Sequence, residues 1–425
     1  MSDSSLIHAL RLIAERYGTP TYVFDQRRLR AQAEKLLSHL PGETDILYSL
    51  KANASLGICD VLARCGLGAD VASAGELTIA VEAGFPPARI FMAGPYKSPE
   101  AVSQLRSLPE AVVSIDSASE LEVIARVGLP NRLVLRLRPD FCSHAVCSAG
   151  SDSRFGALFD ELPRCRAAAR SHGLRLAGFH VFAGSQVLQA DQVIAHLRGA
   201  MELSLRAADA LGITPELVNL GGGFGIPYGP GQEELDLAPV GDELAGLVER
   251  AAPARIVLEL GRYLVAQAGW YLTTVVSHQR HRGREAVVVD GGTHQRADMC
   301  GLGLRNKAHP PLVLDTDAGT TQPTDVLGCL SLPADVLTEA AALPPLSPGN
   351  VLAFPTAGAY GAWSSPAMFH AYPLPAEVAF DGASIELMRP RKPAQSVLDD
   401  QRHVAGQTTR REAVTTGRSQ EVAIE

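Results

Sequence analysis

Asp45-Ile46-Leu47-Tyr48-Ser49-Leu50-Lys51-Ala52-Asn53 is an apolar, β-prone run that stops on a lysine. A helical pattern precedes it over Arg27–Leu40 and another follows over Gly57–Cys65. The same rhythm then repeats down the chain. Short apolar runs at Ala69–Val71, Ile90–Ala93, Val112–Ile115, Arg132–Leu137, Leu176–Phe182, Leu217–Leu220 and Arg255–Leu260 read as strands. Gly75–Ala83, Ser117–Arg126, Leu158–His172 and Ala190–Leu211 read as helices between them. Strands that alternate with helices imply a parallel sheet covered on its faces. Eight such units over residues 27–265 fit a closed (β/α)8 TIM barrel better than an open doubly wound sheet. Polar or glycine-rich pieces follow the strands, and strand C-terminal ends share the face where barrel chemistry sits.

Beyond residue 265 the texture changes. Tyr271–Val276, Ala286–Val289, Leu312–Leu314, Val326–Leu330, Val351–Phe354 and Glu377–Phe380 read as strands between Gly, Pro and Asp turns. A second, mostly β domain is expected over residues 266–390, joined by residues 1–26 through Pro20–Phe24. Residues 391–425 are charged, lack apolar periodicity and read as a disordered tail.

The bulk numbers narrow the partners. The net charge of −8 argues against nucleic acid and anionic membranes. No apolar run approaches the roughly 18–20 residues that span a bilayer. The N-terminus lacks the pattern of a secretory signal. Seven scattered cysteines suit reduced thiols in a cytoplasmic protein. Cys142 and Cys147 flank His144, but the four-ligand zinc spacings are missing, so no metal is expected.

Three features suggest chemistry. Lys51, if desolvated at its strand end, loses its proton more readily and can form a Schiff base; otherwise it is an ordinary lysine. Gly221-Gly222-Gly223-Phe224-Gly225 turns backbone N–H groups toward an anion or is only a tight turn, and Ser185 can add a hydroxyl. Glu259 ends a strand and needs a partner, either a structural arginine or the protonated nitrogen of a pyridine ring. A carbonyl-reactive amine, a phosphate cradle and a carboxylate together fit pyridoxal 5′-phosphate (PLP).

The chain resembles the PLP-dependent decarboxylases built on the alanine-racemase-type barrel, the group of diaminopimelate and ornithine decarboxylases. The pieces that carry the resemblance include Tyr48–Asn53, Asp70-Val71-Ala72-Ser73-Ala74-Gly75-Glu76-Leu77, Arg154-Phe155-Gly156, Gly178-Phe179-His180, Asn219–Gly225, Glu259-Leu260-Gly261-Arg262 and Gly358-Ala359-Tyr360. By that resemblance Lys51 carries the cofactor as a Schiff base and Glu259 meets the pyridine nitrogen. Ser185, Gly221, Gly222, Gly223, Gly261, Arg262 and Tyr360 hold the phosphate. Asp70, Glu76 and His180 belong to the surrounding shell, with Arg262 and Tyr360 also facing substrate. The implied reaction is loss of CO2 from Cα through a quinonoid, in a homodimer with shared active sites.

Three departures from the family pattern bear on the substrate. Phe182 stands where many relatives stack a histidine on the cofactor; it can stack but not titrate. Ser331 stands where a catalytic cysteine is expected, in Gly328-Cys329-Leu330-Ser331-Leu332. On a strand Cys329 shares a face with Ser331, so either Cys329 or an ordered water delivers the proton with Ser331 orienting it, or Cys329 is a buried core thiol. Leu332 replaces the acid that recognises a distal amino group, and an unpaired ammonium there would be costly.

The Asp290–Gln295 run, with Gly261–Ala266 and Ala357–Gly361, resembles a branch serving siderophore, antibiotic or exopolysaccharide-linked pathways, some of whose substrates are already joined to a carrier protein. His294, Arg305 and Lys307 then meet a larger substrate, or form a solvated loop. The leading expectation is a decarboxylase of an amino acid or its conjugate. Diaminopimelate decarboxylation, racemisation and a non-enzymatic PLP carrier are the alternatives.

Overall fold

The computed structural model describes residues 3–141, 153–297, 310–315 and 320–402. An N-terminal helix α1 (Asp3–Tyr17), strand β1 (Thr21–Asp25) and helix α2 (Gln26–His39) lead into the barrel. Its strands are β2 (Thr44–Ser49), β3 (Gly68–Val71), β4 (Ile90–Met92), β5 (Val112–Ile115), β6 (Arg132–Leu137), β7 (Leu176–Val181), β8 (Leu217–Gly222) and β9 (Arg255–Leu260). Between them run α3 (Leu56–Arg64), α4 (Ala74–Glu82), α5 (Pro99–Arg106), α6 (Ala118–Val127), α7 (Leu162–Ser171), α8 (Ala190–Leu211) and α9 (Ala238–Ala251). Neighbouring strands pair in parallel, and β2 closes on β9 with Leu47 opposite Glu259. The (β/α)8 barrel expected from the alternation is thus the fold.

Local chemistry explains the boundaries. Ser73 and Ser117 each accept the N–H of a glutamate three residues on, and those glutamates accept the N–H groups of Ala72 and Asp116. These caps end the loops after β3 and β5 at fixed points. Gly128 and Gly212 take left-handed conformations that stop α6 and α8. Barrel strands are buried on both faces, which is why they read as unbroken apolar runs.

After β9 the short helix α10 (Arg262–Val265) hands the chain to the β sheet: β10 (Gly269–His281), β11 (Arg284–Val289), β12 (Leu312–Val313), β13 (Gln322–Leu327), β14 (Val336–Leu343), β15 (Val351–Phe354), β16 (Ala376–Phe380) and β17 (Ile385–Arg389). In this sheet β1 lies antiparallel to β10 and parallel to β16. Helix α1 packs Leu6, Leu10 and Ile13 against Val23, Leu272 and Val378 of the sheet.

Three sequence expectations change here. Strand β13 ends at Leu327, not Leu330, where the Gly328 N–H bonds to the Asp335 carbonyl. Cys329 and Ser331 therefore do not alternate on one strand face. Strand β14 had no strand signal, since Val336-Leu337-Thr338-Glu339-Ala340-Ala341-Ala342-Leu343 is rich in helix formers; pairing with β13 overrides that preference. The packed chain also runs past residue 390, because Arg391 donates to the Pro20 carbonyl at 2.7 Å. Residues 403–425, the Cys142–Cys147 stretch with His144, and Arg305 and Lys307 lie outside the described residues. Among the described residues no helix is long and apolar enough to cross a membrane.

Candidate active site

The C-terminal ends of the barrel strands converge on a pocket lined by Ser49, Lys51, Phe182, Ser185, Gly223, Phe224, Glu259, Leu260, Gly261, Arg262 and Tyr360. Lys51 sits on a single 3-10 turn, Leu50–Ala52, whose other two residues are buried. That turn points its amine inward: Nζ lies 3.7 Å from Asp70 Oδ2 and 5.1 Å from the centre of the Phe182 ring.

The lysine is desolvated as its strand end suggests, but its pKa is raised rather than lowered. Burial pulls its pKa down, but the carboxylates of Asp70 and Glu259 outweigh that pull and leave it raised. Its side chain is 45% exposed into the pocket, and the combined pull of the nearby carboxylates exceeds the desolvation. Lys51 is accordingly an ammonium held by charge until another group takes its proton. Asp70, buried on β3, is the nearest one. Burial and the Glu259 charge push its carboxyl up, with Lys51 opposing. Glu76, expected in the same shell, is occupied in capping α4.

Glu259 has the opposite character. Burial alone would raise its carboxyl, yet His180, Lys51 and Arg136 together hold it well below the usual range. Burial also keeps His180 below its own ordinary value. A neutral ring cannot be the main counter-charge, so the cations that keep Glu259 ionised are Lys51 and Arg136. His180 Nε2 lies 3.4 Å from Glu259 Oε1 without a hydrogen bond, and Nδ1 lies 2.9 Å from Ser114 Oγ. His180 is not among the pocket's lining residues and sits beneath it, supporting Glu259, whereas Phe182 is in the wall.

Asn219 is a site residue that the sequence alone does not single out. Its Nδ2 donates to Glu259 Oε1 at 2.6 Å and its Oδ1 accepts the Gly221 N–H at 2.9 Å. One amide thus ties the carboxylate to the glycine loop. A polar residue inside the apolar strand Leu217–Leu220 was the available signal. The β8–β9 pairing is irregular between Asn219 and Gly222, as befits a strand end reshaped for a site.

The glycines are required by space. A Cβ on Gly221 would lie 2.6 Å from the Val181 carbonyl oxygen, and one on Gly223 would lie 2.2 Å from that of Gly184. Both have left-handed backbones, at φ +71° and +83°. The loop is stitched to its neighbour by the Val187 N–H, which bonds to the Gly223 carbonyl at 2.9 Å, and this brings Ser185 alongside. Arg262 faces the same corner. It donates to the Tyr228 hydroxyl, and its guanidinium packs 4.6 Å from the Tyr360 ring centre. Its Nε has no acceptor among the described residues. The Tyr360 N–H bonds to the Ala52 carbonyl at 2.7 Å, tying that loop to the lysine turn.

A primary amine, a backbone cradle beside an arginine with an unused donor, and an ionised buried carboxylate occupy three corners of one pocket. These are the complements of an aldehyde, a phosphate and a protonated pyridine nitrogen. The residues present fit PLP. A model of the pyridoxal-binding domain of pyridoxal-dependent decarboxylases matches residues 26–266. The chain belongs to the pyridoxal-dependent decarboxylases.

This decarboxylase is 30% identical over 406 residues to the L-glutamyl-[BtrI acyl-carrier protein] decarboxylase of Niallia circulans, covering 92% of this chain and 95% of that one. It is also 30% identical over 404 residues to the diaminopimelate decarboxylase of Zymomonas mobilis, covering 92% and 94%. The structure of Helicobacter pylori diaminopimelate decarboxylase complexed with L-lysine superposes with a TM-score of 0.82 at 26% identity, covering 92% and 98%.

The remaining candidates gather on the β domain of the decarboxylase, apart from the pocket lining. Cys329 is half-buried, and burial foremost pushes its thiol up, aided by the Asp335 charge and opposed by Tyr372. Ser331 and Leu332 are exposed. His294, far from being a solvated loop residue, is 1% exposed, with its ring 5.1 Å from that of Tyr372. Asp335 holds this corner together by accepting from Thr293 N, Thr293 Oγ1 and Leu330 N.

The cradle is open to test. Gly223→Ala places a side chain on a left-handed backbone and into the Gly184 carbonyl. It is expected to weaken PLP binding about tenfold or more, measured by equilibrium dialysis, with a smaller loss of thermal stability.

Proposed function

We propose that this decarboxylase acts on an amino acid presented as a conjugate, a glutamyl-type group tethered to a carrier protein, rather than on a free diamino acid. The observation that carries this reading is the neutral Ser331-Leu332 pair, exposed at the edge of the His294–Cys329–Tyr372 corner. A distal ammonium finds no counter-charge in that pair, whereas an amide or thioester needs none. The similarity to the Niallia circulans enzyme supports the same reading. With a glutamyl-carrier thioester and diaminopimelate offered in turn, CO2 release is expected to favour the thioester in kcat/KM by about a hundredfold or more. A preference for diaminopimelate would restore a role in lysine biosynthesis.

When bound, PLP supplies a conjugated ring into which the electron pair of a cleaved Cα bond spreads. Lys51 is the residue that binds it covalently, and Asp70 holds the proton Lys51 must give up. Glu259, oriented by Asn219, keeps the ring-nitrogen proton in place. The Gly221–Gly223 loop, Ser185, Gly261, Arg262 and Tyr360 hold the phosphate, and Phe182 covers one side and excludes water.

The group that returns a proton comes from a second copy of the chain in a homodimer. Trp363, Met368, Phe369, Tyr372 and Leu374 are exposed in the segment that follows Tyr360, an apolar surface suited to burial against a partner. Cys329, whose thiol burial pushes up and keeps protonated, is the donor. Cys329→Ala is then expected to lower kcat about a hundredfold, with a smaller loss in Ser331→Ala. Unchanged turnover in Cys329→Ala would exclude the thiol.

A further inference from the structure

Behind the segment that carries Arg262 and Tyr360 lies a second cleft of about 530 Å³. It opens where α1 and α2 meet the β sheet. Leu6, Leu264, Trp270 and Leu312 give it apolar walls, and the polar groups come from α2 and the strips facing it. That size and mixture suit a small molecule.

The charges at its edge do not balance. Lys35 is paired with Glu234 at 2.7 Å. Arg28 has Asp25 as its nearest carboxylate, at 4.0 Å, and Asp25 already accepts two side-chain hydrogen bonds from Arg27 at 3.0 and 2.8 Å. Among the described residues the Arg28 guanidinium makes one further contact, a long bond to the Gln267 carbonyl at 3.4 Å. A half-exposed, weakly paired guanidinium at the rim of a cleft with Leu6, Leu264, Trp270 and Leu312 in its walls favours a ligand with an apolar part and a carboxylate head.

We propose that this cleft binds a small amphipathic monocarboxylate, and that its occupancy is transmitted to the PLP site. The two strips that wall the cleft continue directly into the active site. Leu264 and Gln267 follow Arg262 along one strip, while Pro355 and Thr356 precede Tyr360 on the other. Between them the Gly358 N–H bonds to the Ala266 carbonyl at 3.0 Å and the Ala357 N–H to the Gly269 carbonyl at 2.8 Å. A Cβ on Gly358 would lie 1.8 Å from the Val265 carbonyl oxygen, so the strips cannot slide independently. Thr356 and Tyr360 are both left-handed, at φ +54°. A β-branched residue rarely adopts that conformation, and its strain is held by the surrounding contacts. A ligand packed against Leu264 and Thr356 therefore shifts the Arg262–Tyr360 stack at the other end. This second half rests on the phosphate-holding role proposed above for that pair.

The test uses the holoenzyme carrying Trp363→Phe, which leaves Trp270 as the one indole of a chain with two tryptophans. Octanoate is titrated against Trp270 fluorescence, with 1-octanol as the uncharged control. A saturable change is expected with octanoate, weaker by about tenfold or more for octanol and in Arg28→Ala. Saturating octanoate is expected to change the PLP dissociation constant by about threefold or more in equilibrium dialysis. No saturable change, or equal affinity for octanol and octanoate, overturns the site. Binding that leaves PLP affinity unchanged overturns the coupling. Arg262→Ala, measured without octanoate, separates the causes: if it too leaves PLP affinity unchanged, the phosphate assignment is what failed.

Discussion

Replacing Lys51 with alanine is expected to reduce CO2 release about a thousandfold or more while leaving the fold intact. The side chain is 45% exposed and rests on a turn whose packing comes from Leu50 and Ala52, so its loss opens no core cavity. What disappears is the only amine that lines the pocket among the described residues. Borohydride treatment of the PLP-loaded wild type should fix the cofactor to the chain and raise its intact mass; the alanine variant should show no such gain. An adduct retained in Lys51→Ala would place the reactive amine elsewhere. Removing Lys51 also strips Asp70 and Glu259 of a shared cation, which leaves two buried carboxylates facing each other. The cofactor-free variant should therefore lose more stability than the wild type as the pH rises and Asp70 ionises. The sign follows from Asp70, whose raised pKa favours the folded state only while it is protonated.

Glu259→Gln is the second large effect, and it separates binding from chemistry. The variant keeps the shape and keeps an oxygen to accept the 2.6 Å bond from Asn219. It loses the negative charge that would hold a proton on the ring nitrogen. The expected result is a fall in kcat of about a hundred- to a thousandfold, with PLP affinity within about fivefold of wild type. Glu259→Ala should do worse on both counts, because it also leaves Asn219 without its partner. Loss of PLP binding in the glutamine variant with normal turnover of the bound fraction would assign Glu259 a purely structural role.

The features these variants probe were legible in sequence to different degrees. Lys51, Glu259 and the Gly221–Gly223 loop each directly follow or end an apolar run, and a (β/α)8 barrel brings all such positions to one face. Reading the alternation was enough to gather them. Asn219 and His180 act one layer below, and their roles depend on register: His180 pairs with Asn219, and an irregular step sets Gly222 opposite Glu259. A run of residue types does not carry that offset.

The charge on Lys51 is not legible in local sequence for a related reason. Burial at a strand end can be inferred locally, but the opposing carboxylates arrive from β3 and β9. His294, expected either to meet a larger substrate or to lie in a solvated loop, is instead buried by contacts from Tyr372 and the Asp335 corner. On the β domain, the alanine-rich β14 and the early end of β13 reflect tertiary pairing that overrides local preference.

The most direct test of the central claim is an absorbance spectrum of the purified decarboxylase, recorded while a glutamyl-carrier thioester is added and CO2 is collected. The expected result is a band near about 420 nm, where a protonated PLP–lysine linkage absorbs, which changes on addition as CO2 is released. A protein that takes up no PLP and shows no such band would contradict the assignment of this pocket.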